Sequence, residues 1–388
     1  MKNRPAVIIR YSEIAVKGPL TRRRMEDLLS HYIARVIEKY ELKGTLSKTP
    51  GRIILWDPGD PYEAAEKISY VFGVKSTSPA MAYTLYSLEE IVNVGKSLFY
   101  DKVAGKTFRV TARRTGTHEF TSKDVERALG AALFRQGETR VDLTNPEYTV
   151  YVEIRGNTVF YYDKVIPGPG GLPVGSEEPV LVLFSGGFDS TATAWYIMRR
   201  GATPGLIYYD LGVEEAKENA VIIAEKLAEI WAHGWDLKLY IADMTPVVER
   251  LAEIIRPEYR TLIIRRIMLE HASEFAETRG YEALATGDNI GQVASQTIRN
   301  LRLIGGGIRL PVIRPVSGHD KEEIMKLIAK IGLYSYVNVQ IEPCRIRVNP
   351  VPRASPKIYK EELEKAYRAI GDALGDVIKI KEEYRFKG

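Results

Sequence analysis

Ser185-Gly186-Gly187-Phe188-Asp189-Ser190 puts two hydroxyls, two glycines and a carboxylate into one short turn, directly after the apolar run Val180-Leu181-Val182-Leu183-Phe184. A buried strand feeding such a turn, with a helix following at once, makes an anion site. Unpaired N–H groups at the helix start and the helix dipole both favour negative charge there. Gly186 and Gly187 let backbone approach phosphate oxygens with no Cβ between. Ser185 and Ser190 can add hydroxyl donors. Asp189 would repel a bare phosphate, so its presence implies Mg²⁺ between the two or a role in orienting the loop. The Gly-Lys-Ser/Thr ending of a Walker A loop is missing.

Other segments carry residues suited to the same work. Thr286-Gly287-Asp288-Asn289-Ile290-Gly291-Gln292-Val293-Ala294-Ser295-Gln296-Thr297 gathers short polar side chains around two glycines. It suits a nucleotide-contacting loop, and equally a polar loop that caps a helix. Lys321 follows Arg314-Pro315 and His319-Asp320 at an expected helix start. A cation there opposes the helix dipole unless an anion lies beside it, so Lys321 reads as a phosphate contact; a solvated surface lysine is the alternative. Arg265 and Arg266 adjoin Ile263, Ile264, Ile267 and Met268, so one of them must turn toward the core and needs a carboxylate or a phosphate. Cys344, flanked by Arg345 and Arg347, is the single cysteine. The arginines favour a reactive thiolate, while a small core residue is the plainer reading.

The elements that must position these groups follow from the apolar pattern. Runs at 180–184, 205–210, 237–242 and 283–286 read as buried strands, with helices at 191–200, 214–233, 246–255 and 260–279 between and after them. That alternation predicts a parallel sheet covered on both faces, with ligands beyond the C-terminal strand ends. From residue 361 a charged helical tail is expected. Across 165–176 seven of twelve residues are Pro or Gly, which stops both helix and strand and marks a linker. The N-terminal half predicts strands at 6–10, 45–53, 80–86, 107–112 and 150–159 with helices at 22–40, 61–71, 87–100 and 122–136, an α+β pattern.

Composition bounds the class. With 388 residues, 45% hydrophobic and 27% charged, the chain suits two to three packed domains and not disorder. No bilayer-length apolar run and no signal-peptide core occur, and one cysteine allows no internal disulfide or all-cysteine metal cage. A cytoplasmic protein is expected. The net charge is +5, yet the first 50 residues alone carry +6. Lys102, Lys106, Arg109, Arg113 and Arg114 follow with no acidic residue among positions 102–114. Basic patches of this kind point to a polyanion or to a solvated charged face.

The phosphate turn resembles that of the ATP-pyrophosphatase (PP-loop) superfamily, whose members split ATP between its α and β phosphates. Together with the 286–301 string, Arg314-Pro315 and Asp320-Lys321-Glu322-Glu323-Ile324, it resembles the tRNA 4-thiouridine synthetases, also called tRNA uracil 4-sulfurtransferases. Ser12-Glu13-Ile14-Ala15-Val16-Lys17-Gly18 is similar to that family's opening. Phe108-Arg109-Val110-Thr111-Ala112-Arg113-Arg114, Asp124-Val125-Glu126-Arg127 and Val141-Asp142-Leu143-Thr144-Asn145-Pro146 look like its THUMP domain. Lysidine synthetases and small-molecule amidating relatives lack such an N-terminal half.

The resemblance implies an α/β protein: an α+β N-terminal ferredoxin-like domain at 1–58 and a THUMP RNA-binding domain at 59–165, a Pro/Gly linker at 166–178, and a doubly wound parallel-sheet PP-loop domain at 179–388. It implies ATP and Mg²⁺ as cofactors and tRNA as partner, which fits the charge reading that makes Lys106, Arg109, Arg113 and Arg114 the expected RNA contacts. Leu183, Phe184, Tyr208, Tyr209, Arg265, Gly287 and Gln296 fall on its adenosine contacts. Ser185, Gly186, Gly187 and Ser190 form the loop that receives pyrophosphate. Asp189, also the metal position, and Lys321 fall on functionally important phosphate-side positions, and Cys344 matches a cysteine that resolves an enzyme-borne persulfide. The implied reaction adenylates O4 of the uridine at position eight of tRNA and replaces it with sulfur. The chain ends before a rhodanese domain could fit, and Arg347 stands where some relatives have a second cysteine. Sulfur is therefore expected from free sulfide, from a separate persulfide carrier such as a cysteine desulfurase, or on Cys344 itself. Members often work as dimers, which extends to a homodimer here only by analogy.

Overall fold

The computed structural model describes residues 3–337, 350–371 and 374–388. Its contacts divide the chain into two units, 1–170 and 171–388, parted inside the Pro/Gly stretch.

The first unit runs β1 (Asn3–Arg10), α1 (Pro19–Lys39), β2 (Thr45–Thr49), β3 (Arg52–Trp56), α2 (Pro61–Ile68), β4 (Ser76–Thr84), α3 (Leu88–Phe99), β5 (Thr107–Thr115), α4 (Ser122–Leu133), β6 (Arg140–Val141), β7 (Tyr148–Arg155), β8 (Thr158–Tyr162) and β9 (Ile166–Pro167). One mixed sheet joins them in the order β2-β3-β1-β4-β8-β7-β5-β6, with β9 on β4. The ferredoxin-like and THUMP-like strands thus share a sheet. Helix starts carry the expected caps: Asp60 accepts from Tyr62 and Glu63, and Ser87 and Thr121 form capping boxes with Glu90 and Asp124. In β5 the two-residue period sends Phe108, Val110 and Ala112 into the core shared with α3 and α4. Two expected strands are hairpins instead. The run 45–53 breaks at Gly51 and 150–159 at Gly156, each with a positive φ that turns the chain back.

The second unit contains β10 (Glu177–Leu183), α5 (Phe188–Arg199), β11 (Ala202–Asp210), α6 (Glu214–Trp231), β12 (Leu237–Asp243), α7 (Thr245–Ile254), α8 (Pro257–Arg279), β13 (Ala283–Thr286), α9 (Ile298–Gly305), β14 (Val312–Ile313), α10 (Lys321–Lys330), α11 (Tyr334–Val337), α12 (Pro356–Ile370), α13 (Leu374–Val377) and β15 (Lys379–Phe386). Its sheet order is β14-β13-β10-β11-β12-β15. Neighbours pair in parallel except β12 and β15. Val180, Leu181, Val182, Leu206, Ile207, Leu239, Tyr240 and Ile241 are buried, as a sheet covered on both faces requires. The expected helical tail is helical only in part. After α12 and α13 comes a strand, because Ile380, Glu382, Tyr384 and Phe386 alternate inward while Lys379, Lys381, Glu383 and Arg385 face out. Its charges mask that period in the sequence and guard a sheet edge.

From β10 the chain turns to β11 on one side, while β13 lies on the other. That divergence opens a crevice at the strand ends. Among the described residues no helix is long and apolar enough to cross a membrane.

Candidate nucleotide cleft and basic sheet face

The crevice is a cleft of about 480 Å³, in the range of small-molecule sites. Leu183, Phe184, Ser185, Asp189, Ser190, Tyr208, Tyr209, Arg265, Gly287 and Gln296 line it, together with Thr286, Asp288 and Ser295. Ten positions singled out in the sequence therefore meet on one wall system.

Gly186 takes φ +73° and would place a Cβ 3.0 Å from Ala220 Cα, so only glycine turns the chain there. Gly187 caps α5 with no side-chain bond, which leaves the first N–H groups of the helix for a ligand. The serines divide the work. Ser190 Oγ accepts from Ser185 N at 3.2 Å and lies 3.1 Å from Gly187 O, to which it donates. Its hydroxyl ties the turn shut, and Ser185 Oγ, 3.1 Å from it, is the freer donor. A Cβ on Gly287 would meet the Asp189 carbonyl carbon and Ser190 N at 2.8 Å each. The loop after β13 thus reaches the helix start only because Gly287 has no side chain.

Arg265 and Arg266 separate as their neighbours require. Arg266 turns inward to Glu270 at 2.6 Å and to the Ile304 and Gly306 carbonyls. Arg265 faces the cleft, donates to Ser295 Oγ at 3.3 Å and pairs with Asp288. Asp288 is buried and also receives Thr286 Oγ1 at 2.8 Å and Arg314 Nε at 3.2 Å. Burial pushes its carboxyl up, but Arg265, Thr286 and Arg314 together hold it below the usual carboxylate range. Sequence reading left Asp288 and Arg314 without roles, since neither spacing nor residue type reveals a shared partner. Tyr209 contributes its ring and backbone, because its hydroxyl is engaged with Met268 O at 2.8 Å and His271 Nδ1 at 2.9 Å. Gln296 Oε1 is buried with no hydrogen-bond partner among the described residues, an acceptor suited to an amino or hydroxyl donor on a bound nucleoside.

Asp189 is half-buried at the turn. Burial raises its carboxyl above the ordinary value, and Asp288 adds to this, against the pull of the Gln292 amide at 3.1 Å and of Lys321. A carboxylate held this way gains from a cation. Among the described residues no cluster of three or more His, Cys, Asp or Glu could hold one. Lys321 does not line the cleft but acts on Asp189 through its charge. It opens α10 behind a capping box of Asp320 and Glu323. Those carboxylates already complement the dipole, so helix polarity alone demands no anion at Lys321. Cys344 lies outside the described residues.

In the first unit, the strand period splits the basic cluster. Arg109 and Arg113 point away from the helix-covered core, whereas Arg114 lies on the alternate side, bonded to Gly116 O at 2.9 Å and against His118 Nδ1 at 3.0 Å. Lys106 lies over the Tyr148 ring and donates to Lys102 O. Arg113 stands opposite Glu153 in the register of β5 and β7. Glu153 is buried and binds Arg52 at 3.0 Å, Arg155 at 2.8 Å and Arg10 at 3.4 Å. Burial raises its carboxyl, yet the arginines hold it below the usual range. This excess of guanidinium comes from three strands and was missed in the sequence.

The comparisons with known proteins agree with both units. The family model described as thiamine biosynthesis protein (ThiI) matches residues 175–370, a THUMP domain matches 86–162, and the ThiI ferredoxin-like domain matches 6–78. A probable tRNA sulfurtransferase of Aeropyrum pernix is 48% identical across 92% of this chain and 91% of its own. A tRNA sulfurtransferase of Pyrobaculum aerophilum is 39% identical across 96% of this chain and 75% of its own. The crystal structure of a 4-thiouridine synthetase in complex with RNA and bound ATP is 28% identical, with a TM-score of 0.81 over the whole of both chains. With a cleft, a sheet and relatives that coincide along nearly its full length, the chain belongs to the ThiI family of tRNA sulfurtransferases.

Proposed function

We propose that this chain is an ATP-dependent tRNA sulfurtransferase that converts uridine at position eight to 4-thiouridine. The observation that carries the reading is the uncapped start of α5, bordered by Asp189 and opening on a cleft with an orphaned acceptor at Gln296. ATP enters with its adenosine against Leu183, Phe184, Tyr208, Tyr209 and Gln296, and with its β and γ phosphates over Ser185, Gly186 and Gly187. The uracil O4 attacks the α phosphorus, an O4–P bond forms and the P–O bond to pyrophosphate breaks. N–H groups of the turn take up charge as it develops on the departing oxygens. Arg265, fixed by Asp288, faces the same charge. Asp189 would hold Mg²⁺ together with phosphate oxygens, and the ion when bound neutralises charge on the leaving group. A sulfur nucleophile then bonds to C4, the C4–O4 bond breaks, and AMP leaves. Free sulfide supplies the sulfur directly; a persulfide on a separate carrier or on Cys344 leaves a C4–S–S link, whose S–S bond an external thiol then reduces to release the thiolated base. A homodimer and a cytoplasmic site of action complete the reading.

The test is mass spectrometry of tRNA nucleosides after incubation with ATP, Mg²⁺ and sulfide. Appearance of 4-thiouridine with matching pyrophosphate is expected from the intact chain. Asp189→Ala should lower the rate by roughly a hundredfold or more while leaving tRNA affinity in place. Pyrophosphate release without thiolated uridine would overturn the assignment.

A further inference from the structure

From Asn289 to His319 the chain carries four arginines and no aspartate or glutamate. The fold accounts for two of them. Arg314 pairs with Asp288 at 3.2 Å, and Arg309 with Glu274 and Glu277 at 3.5 and 3.1 Å. Arg299 and Arg302, both exposed on α9, have no ion pair among the described residues. A third exposed arginine is fastened beside them. Thr297 Oγ1 donates to Pro352 O at 2.8 Å, Asn300 Nδ2 to Val351 O at 2.9 Å, and Ala354 N to Asn300 Oδ1 at 3.2 Å. Asn300 is fully buried, so the segment bearing Arg353 is stitched to α9. Arg353 likewise has no ion pair among the described residues.

This basic rim adjoins the chemistry. Ser295 and Gln296 line the cleft, and α9 begins two residues later. Along the same stretch Ile290, Val293 and Ile298 are 51%, 50% and 70% exposed, unusual for aliphatic side chains so close together. Unpaired cations of one sign repel each other until an anion joins them. Arg299 and Arg302 are three residues apart and so share a helix face, about 5–6 Å between Cβ atoms, close enough to meet neighbouring phosphates. Guanidinium forks suit phosphate oxygens, and the aliphatic side chains suit a ribose or an unstacked base.

We infer that Arg299, Arg302 and Arg353, with Ile290, Val293 and Ile298, form the surface on which the catalytic unit grips the RNA backbone next to the nucleotide whose base enters the cleft. This rests on the proposed tRNA thiolation. The basic sheet face of the first unit then supplies one hold on the substrate, and the α9 rim supplies a second where the reaction occurs.

The test is the full-length double variant Arg299→Ala/Arg302→Ala, beside Arg299→Lys/Arg302→Lys, with tRNA affinity measured across a salt series. The alanine pair should weaken binding on the order of tenfold and lower the log–log salt slope by about two, with the lysine pair keeping most of the slope. ATP affinity measured without RNA should not change. Unaltered tRNA affinity and slope would overturn the inference, and so would that result with slower sulfur delivery from a protein carrier, which would assign the rim to a protein. Loss of ATP affinity would overturn it too, by making α9 a wall of the cleft. An intact chain that binds no tRNA would instead sink the proposed function.

Discussion

Asp288 in the second unit and Glu153 in the first are buried carboxylates, each surrounded by more guanidinium than it can neutralise. Two arginines converge on Asp288 and three on Glu153. Both stay ionised against the cost of burial. The partners differ in kind. Arg265 and Arg314 are 23 and 26 residues from Asp288, and Arg265 points into a concave cleft. Arg52 and Arg10 are 101 and 143 residues from Glu153 and belong to β3 and β1, with β4 and β8 between them and β7. The same electrostatic device organises a small-molecule site in one unit and clasps two modules of a sheet in the other. Around Glu153 the arginines are themselves largely buried, and Arg113, opposite in register, is the exposed cation beside them.

Removing each carboxylate should separate those roles and give the largest effects. Glu153→Gln leaves three guanidinium groups around a neutral amide, with side chains 8–16% exposed. Breaking a buried pair costs about 3–5 kcal/mol, and this position should approach that range. Asp288→Asn should cost less, because its arginines are 23–24% exposed. Both folded carboxyls lie below their ordinary values, so their stabilisation is present above a pH of about 4–5 and is lost as acid approaches the folded value. Urea unfolding at neutral and acid pH should therefore show the variant penalty shrinking in acid. Functionally the variants should cross: Asp288→Asn raising KM for ATP, Glu153→Gln weakening tRNA binding. A larger loss of stability in Asp288→Asn would break the comparison.

The two clusters also differ in how far the chain announces them. The phosphate turn is a short run whose residue types and order already suggest phosphate chemistry, while positions such as Tyr208 and Tyr209 were legible only through the family resemblance; ten of the positions so named line one cleft. Its roles for Asp288 and Arg314 stay hidden, because a shared salt bridge leaves no period in a sequence. The Glu153 clasp depends on strand order, and neither composition nor alternation tells that β1 and β3 bring arginines toward β7. The cluster at 102–114 was legible as charge but not as a surface, since a strand sends successive residues to opposite faces. The closing strand was concealed in a similar way, its period of two covered by charged residues at a sheet edge. Gly51 and Gly156 were visible, yet only their φ angles show that each ends one strand and begins another.

A medium effect sharpens the point about faces. Arg109→Ala/Arg113→Ala removes the two cations on the Glu153 side of β5, of which Arg109 also donates to Leu143 O at 3.2 Å, and Lys106→Ala/Arg114→Ala removes Arg114 of the alternate side together with Lys106. The first pair should lower the salt slope of tRNA binding by about two and the second by about one or less. Equal slopes would mean that strand period does not sort these contacts.

The smallest effect has the opposite sign. Asp189 differs from Asp288 and Glu153 because its folded carboxyl is raised, with burial outweighing Gln292 and Lys321. A raised carboxyl binds its proton more tightly folded than unfolded. Its contribution is therefore most favourable below the unfolded value of about 3.9 and declines as pH rises through the folded one. At neutral pH the ionised side chain works against the fold. Asp189→Asn keeps the shape and can still accept from Gln292, so it should raise Tm slightly at neutral pH, lose that advantage in acid, and abolish thiolation. Such opposition between stability and activity is expected where a group is held ready for a ligand. A fall in Tm, greatest above pH of about 5, would instead make Asp189 a structural anchor like Asp288 and remove the argument that it awaits a cation.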